Sequence, residues 1–195
     1  MERLESIKIE QLFVKKTSEQ KVMGLFYRNP YREFTMTGVS ALAGVSKSQA
    51  SSIIRKLSAE GLVVLEELGK KSWRIRANNE NFAFRKKKIA HNLDLIYSSN
   101  IVEFLNEHYK NPKAIVLFGS FRWGEDGKGS DIDIAIEILK EKELEINGFK
   151  EFKPFEKALE RKIRIHVFNR KHIDNNLFAN IANGIVLYGF LEVNK

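Results

Sequence analysis

Two runs of strand length, the apolar Ala114–Phe118 and the alternating Ser130–Glu137, frame the most constraining stretch of this chain. The first run ends directly on Gly119-Ser120, and eleven positions after Ser120 comes Asp131, with Asp133 two residues beyond it. Read with period-two alternation, Ser130–Glu137 is a strand carrying Asp131 and Asp133 on one face and Ile132, Ile134 and Ile136 on the other. Two carboxylates about 7 Å apart along a strand can grip a hard divalent cation. A glycine beside them lets backbone N–H groups approach phosphates closely, and a serine hydroxyl there can hydrogen-bond a phosphate oxygen. Asp-x-Asp alone is common by chance; the information lies in the conjunction of apolar strand, Gly-Ser, ten intervening residues and Asp-x-Asp opening a second strand.

That conjunction, Leu117-Phe-Gly-Ser-Phe-Arg-Trp-Gly-Glu-Asp-Gly-Lys-Gly-Ser-Asp-Ile-Asp-Ile-Ala-Ile-Glu137, resembles the minimal nucleotidyltransferase branch of the DNA polymerase β superfamily. The resemblance covers residues 95–192 and implies a mixed sheet backed by helices. It further implies ATP or another nucleoside triphosphate held near Gly119 and Ser120, and magnesium on Asp131 and Asp133. Between Ser120 and Gly124 the family often has a small residue and then a basic one; here Arg122 and Trp123 occupy those places, and Arg122 is a candidate phosphate contact. Active members of the family usually place a third carboxylate on a neighbouring strand. The corresponding strand here, Lys162–Phe168, alternates Ile163, Ile165 and Val167 with Arg164, His166 and Phe168, so its polar face carries no acid. His166 is the candidate for the third position. A neutral imidazole can accept a proton near pH 7, but it is a poor ligand for magnesium. Arg164 opposes metal binding and favours a bare phosphate or nucleic acid. Neither Glu137 nor Glu160 replaces the missing acid.

The rest of the chain carries a different signal. Residues 1–90 hold 18 Lys and Arg against 9 Asp and Glu, whereas residues 91–195 hold 15 against 16. A basic first half beside a near-neutral second half points to a polyanion as partner of the first, the alternative being a lysine-rich solvated surface. Thr17–Arg28 has the apolar spacing of an amphipathic helix, stopped by Asn29-Pro30. Then come a short helix from Thr37, a Gly44-Val45-Ser46 break, and a second helix capped by Ser46. That second helix buries Ala50, Ile53, Ile54 and Leu57, presents Lys47, Ser48, Ser51, Ser52, Arg55 and Lys56, and ends near Glu60-Gly61. Two strands, Leu62–Leu68 and Ser72–Arg76, follow around a basic Gly69-Lys70-Lys71 turn. The order resembles the winged helix-turn-helix family over residues 17–78. It implies double-stranded DNA as partner, with Lys47, Ser48, Ser51, Arg55, Lys56, Lys70 and Lys71 as DNA-binding residues. Winged helices also dock proteins, which keeps a docking adaptor open.

Asn81–Tyr109 reads as two helices divided at Ser98-Ser99-Asn100, with a basic run, Arg85–Lys88, taken as a solvated face, the alternative being an extension of the DNA-facing surface. The closing segment reads as a helix through Phe178 and Ile181 and an apolar core strand, Ile185–Leu191. The expected organisation is α+β: a winged helix-turn-helix over 1–80, connecting helices over 81–112, and over 113–195 a small nucleotidyltransferase-fold mixed sheet backed by helices. With no cysteine, disulfides, thiolate metal sites and cysteine nucleophiles are excluded. No signal-like or membrane-spanning run is present, so a soluble, cytoplasmic protein without a membrane partner is expected.

Two function classes remain open. One is a DNA-associated, magnesium-dependent nucleotidyltransferase moving a nucleoside monophosphate to an unidentified hydroxyl. Here Asp131, Asp133 and His166 are catalytic, Asp131 and Asp133 hold metal, and Gly119, Ser120 and Arg122 hold nucleotide. Resemblance to toxin–antitoxin nucleotidyltransferases makes a partner protein a candidate acceptor. The other is a winged-helix regulator whose transferase-like domain binds nucleotide or a partner without turnover.

Overall fold

The computed structural model describes residues 16–69, 72–139, 145–147 and 150–193, and the side chains of residues 145–147 and 150 are left aside. The chain divides into two compact units, with the boundary between Lys88 and Ile89. No helix among the described residues is long and apolar enough to cross a membrane.

In the first unit three helices precede a hairpin: α1 (Ser18–Arg28), α2 (Met36–Ala43), α3 (Lys47–Ala59), β1 (Val63–Gly69) and β2 (Ser72–Ala77). Local chemistry sets the helix starts. Thr17 and Gln20 form a reciprocal capping box on α1, and Ser46 and Gln49 do the same on α3. Between α2 and α3, Gly44 turns the chain at φ +62°, a left-handed conformation that costs glycine little. Val22, Phe26, Ile54, Leu57, Ile75 and Phe84 are buried together, and a single bridge from Phe34 to Ile75 extends the hairpin. Residues Lys70 and Lys71, expected at the hairpin tip, lie outside the described residues.

The next helix, α4 (Phe82–Ser98), contains the basic run, and here the expectation of a solvated face needs correction. Arg85, Lys86 and Lys87 are exposed, but Lys88 is fully buried. Its position one helical turn after the buried Phe84 puts it on the inward side.

The second unit is built on a five-stranded mixed sheet. Its strands are β3 (Ala114–Phe118), β4 (Ile132–Glu137), β5 (Glu145–Asn147), β6 (Ile163–Phe168) and β7 (Ile185–Gly189), in the order β5-β6-β4-β3-β7. β3 pairs antiparallel with β4 and with β7, β5 pairs antiparallel with β6, and β4 pairs parallel with β6. A parallel pair needs a crossover, and the segment between β4 and β6, with α7 (Lys153–Leu159), supplies it. One sheet face buries Ile115, Leu117, Ile132, Ile134, Ile163 and Ile165 against residues of α4, α7 and α5 (Ile101–His108). The other face buries Val116, Phe118, Ala135 and Phe168 against Ile181 of α8 (Asn175–Ala182). A short helix, α6 (Gly119–Trp123), leaves β3 directly.

Two expectations about this unit change. The apolar run ending at Leu191 was expected as core, yet β7 is an edge strand with Val186, Tyr188 and Phe190 exposed and Leu191 buried. An edge strand packs only part of its surface, so hydrophobic content alone does not report its burial. The strand β5 was not anticipated at all.

The entry into β7 is held by a close approach. A Cβ built on Gly184 would lie 2.6 Å from both the Leu117 carbonyl oxygen and Val116 Cγ1, and 2.8 Å from the Ile181 oxygen. Gly184→Ala is therefore expected to destabilise the second unit by about 2 kcal/mol, the usual scale for overpacking. Chemical denaturation followed by circular dichroism measures it; an unchanged midpoint would contradict the packing described.

Candidate active site

The register of three strands assembles the site. Phe118, the last residue of β3, lies opposite Asp133 of β4, and Asp133 lies beside Arg164 of β6. Gly119 then leaves the sheet at φ +72°, and a Cβ on it would meet Asp133 Oδ2 at 2.6 Å. Glycine is thus required here by the carboxylate itself as well as by the backbone. Asp131 sits just before β4, after a turn in which the Gly127 N–H donates to Ser130 Oγ at 2.9 Å.

The two aspartates are brought together, but by a cation belonging to the chain. Arg164 Nη2 donates to Asp131 Oδ2 at 2.5 Å, and its Nη1 lies 3.6 Å from Asp133 Oδ1. One planar guanidinium spans both acids, a geometry a lysine would not reproduce. His166, one strand pair further along β6, places Nε2 3.3 Å from Asp133 Oδ1 and its ring edge-to-face on Phe118 at 4.9 Å. An ionised carboxylate only accepts, so this hydrogen bond requires the proton on Nε2. His166 then serves as a donor holding Asp133, while its Nδ1 is buried without a hydrogen-bond partner.

The magnesium expected on Asp131 and Asp133 was tested against this donor set. Both carboxylates are paired with Arg164, and among the described residues no group of three His, Cys, Asp or Glu is placed to share a cation. The described residues do not fit a two-cation cage. The position beside Asp133 that would complete one carries a positive charge. Glu137 does not substitute: it is buried and held by Arg170, with Nε to Oε1 at 3.1 Å and Nη2 to Oε2 at 3.4 Å.

A family model described as nucleotidyltransferase domain matches residues 98–186. The match supports a nucleotidyltransferase fold for that stretch. Such a domain points to transfer of a nucleoside monophosphate from a nucleoside triphosphate, and the mixed sheet with its helices fits the fold. Searches of curated proteins and of solved structures give no match.

Within the nucleotidyltransferase domain, Ser120 and Arg122 lie on α6, the guanidinium of Arg122 stacking on Trp123 at 3.5 Å from the ring centroid. Three further residues position the loop that carries Asp131, and sequence reasoning missed them. Asn92 Nδ2, buried on α4, donates to the Phe121 carbonyl and to Asp126 Oδ1, each at 2.8 Å. Asp126 is only 1% exposed, and Arg161 Nη2, also buried, lies 3.6 Å from it. This buried polar cluster ties α4, the loop after α6 and the start of β6 together. In sequence the only signal was an acid inside the motif and a distant arginine before β6, in surroundings already rich in charge.

In the first unit the expected DNA-facing residues occupy α3. Lys47, Ser48, Arg55 and Lys56 are exposed and Ser51 is half-buried. Arg55 stacks over Trp73 of β2 at 5.1 Å. Lys56 donates to Glu19 at 2.7 Å and lies 3.9 Å from Glu60, and the Glu19 hydrogen bond raises its pKa.

Proposed function

We propose that the chain is a duplex-DNA-binding protein of winged helix-turn-helix type whose nucleotidyltransferase domain binds a phosphate-bearing ligand, a nucleoside triphosphate foremost, without two-metal turnover. The carrying observation is the Arg164 guanidinium across Asp131 and Asp133. Two-metal catalysis stabilises the attacking and leaving oxygens with cations held by carboxylates. Here the carboxylates already have their cation, and it is covalently part of β6. The role this supports is regulatory: ligand occupancy in the second unit, DNA attachment by the first.

DNA attachment is supported by the basic first half and by the exposed polar and basic face of α3. Arg55 is its leading contact, because Lys56 is engaged by Glu19. Arg55→Ala is expected to weaken duplex binding several-fold and to lower the salt slope by about one unit, the signature of one lost phosphate contact. Fluorescence anisotropy across a salt series measures both. Equal affinity and slope in wild type and variant would remove α3 as the DNA-facing element.

A second reading, nucleotidyl transfer to a hydroxyl of a partner protein, a small molecule or a nucleic-acid end, is favoured by the 50% exposure of the Arg164 side chain. A bridge open to water can be displaced, which would free both aspartates for magnesium. Covalent transfer of label from α-labelled triphosphate separates the two readings.

A further inference from the structure

Beside Asp131 the second unit contains a cleft of about 790 Å³. Lys128, Ser130 and Asp131 line one side, and Lys153, Glu156 and Lys162 lie on α7 and at the start of β6. The carboxylates in this wall are already engaged. Asp131 holds Arg164, Glu156 Oε1 accepts the Ile163 N–H at 3.0 Å, and Glu160 is partnered as well. The buried Arg161 is turned to Asp126 and to the Glu160 carbonyl. The side chains of Lys128, Lys153 and Lys162, by contrast, make no ion pair or hydrogen bond among the described residues. Three ammonium groups without counter-ions among the described residues therefore line one cleft in which cationic side chains outnumber carboxylates and Asp131 is already paired with Arg164. Such an arrangement attracts anions, and lysine serves as an adaptable point charge for phosphate. No described lining residue is aromatic, so these residues offer no platform on which a base could stack.

We propose that this cleft is a site for a chain of phosphoryl groups that is held by Lys128, Lys153 and Lys162 and needs no divalent cation. The proposal rests on the reading of the second unit as a ligand-binding domain and deepens it. Arg164 neutralises part of the acid pair at the cleft's edge, so the phosphates meet ammonium groups and not two bare carboxylates. The same phosphoryl chemistry is offered by free polyphosphate and by the triphosphate of a nucleotide.

The test uses inorganic tripolyphosphate and ATP as probes, titrated calorimetrically into the full chain in EDTA. The comparison is a Lys128→Ala/Lys153→Ala/Lys162→Ala variant whose fold is checked by circular dichroism; all three side chains are exposed. A single Lys153→Gln variant serves as a milder companion. Tripolyphosphate is expected to bind in EDTA, about tenfold or more weaker in the triple variant and less weakened in the single one, with affinity falling as salt is added. Equal affinity for ATP and tripolyphosphate would assign recognition to the phosphoryl chain alone; tighter ATP binding would assign the nucleotide as its source, and either supports the site. No binding in EDTA, or unchanged affinity in the triple variant, would overturn it. Duplex binding by the same proteins reports the DNA reading separately, so the two can fail independently.

Discussion

Arg164→Asp is expected to create a divalent-cation site where the wild-type chain has none of comparable strength. The substitution removes the guanidinium that spans Asp131 and Asp133 and places a third carboxylate beside Asp133 in the β4–β6 register. Near a protein surface, two unit charges about 4 Å apart interact by roughly 4 kcal/mol. Exchanging a cation for an anion next to a doubly charged ion therefore shifts affinity by roughly a hundredfold or more, even after solvent screening. Arg164 is half exposed, so the exchange leaves the core untouched. Manganese binding followed by electron paramagnetic resonance measures the gain, and Arg164→Gln, which removes the bridge without adding an acid, should fall between. Equal manganese affinity in wild type and Arg164→Asp would mean that the bridge does not control the acids.

The largest expected loss of stability comes from Asp126→Ala. Asp126 is buried between Asn92 Nδ2 and the buried Arg161. Removing it leaves a guanidinium with little access to water and without its carboxylate. Breaking one side of a buried ion pair costs about 3–5 kcal/mol, because the remaining charge is uncompensated. For a chain of this length that lowers the Tm by about 10 °C. A thermal melt of the variant checks it; a shift of one or two degrees would show that Arg161 finds another partner at little cost. Asp126→Asn keeps the hydrogen bond from Asn92 only if its amide oxygen faces that side, and should fall between.

Much of the architecture was legible because local chemistry and the tertiary fold agree. Ser46 announces the start of α3 in sequence, and its side chain caps that helix. Ala114–Phe118 and the isoleucines of β4 read as buried strand, and they are buried on both sides of the motif. What stayed hidden depends on pairing between distant segments. The strand β5 lies in a charged stretch and is defined by its backbone pairing to β6, to which hydrophobic pattern is blind. The alternation of β6 placed Arg164 and His166 on the polar face, but only the register with β4 brings that arginine across both aspartates. The buried Lys88 and Asp126 were illegible for a related reason: their residue types predict exposure.

The most direct test of the account is a transfer assay on the full wild-type chain, incubated with α-labelled triphosphates and magnesium or manganese, with duplex DNA and with a cell extract as a source of hydroxyl acceptors. No label is expected to be covalently attached to any acceptor above the level of an Asp131→Ala/Asp133→Ala control. Label transferred by wild type, dependent on the metal and lost in that control, would contradict it and establish the chain as a working nucleotidyltransferase.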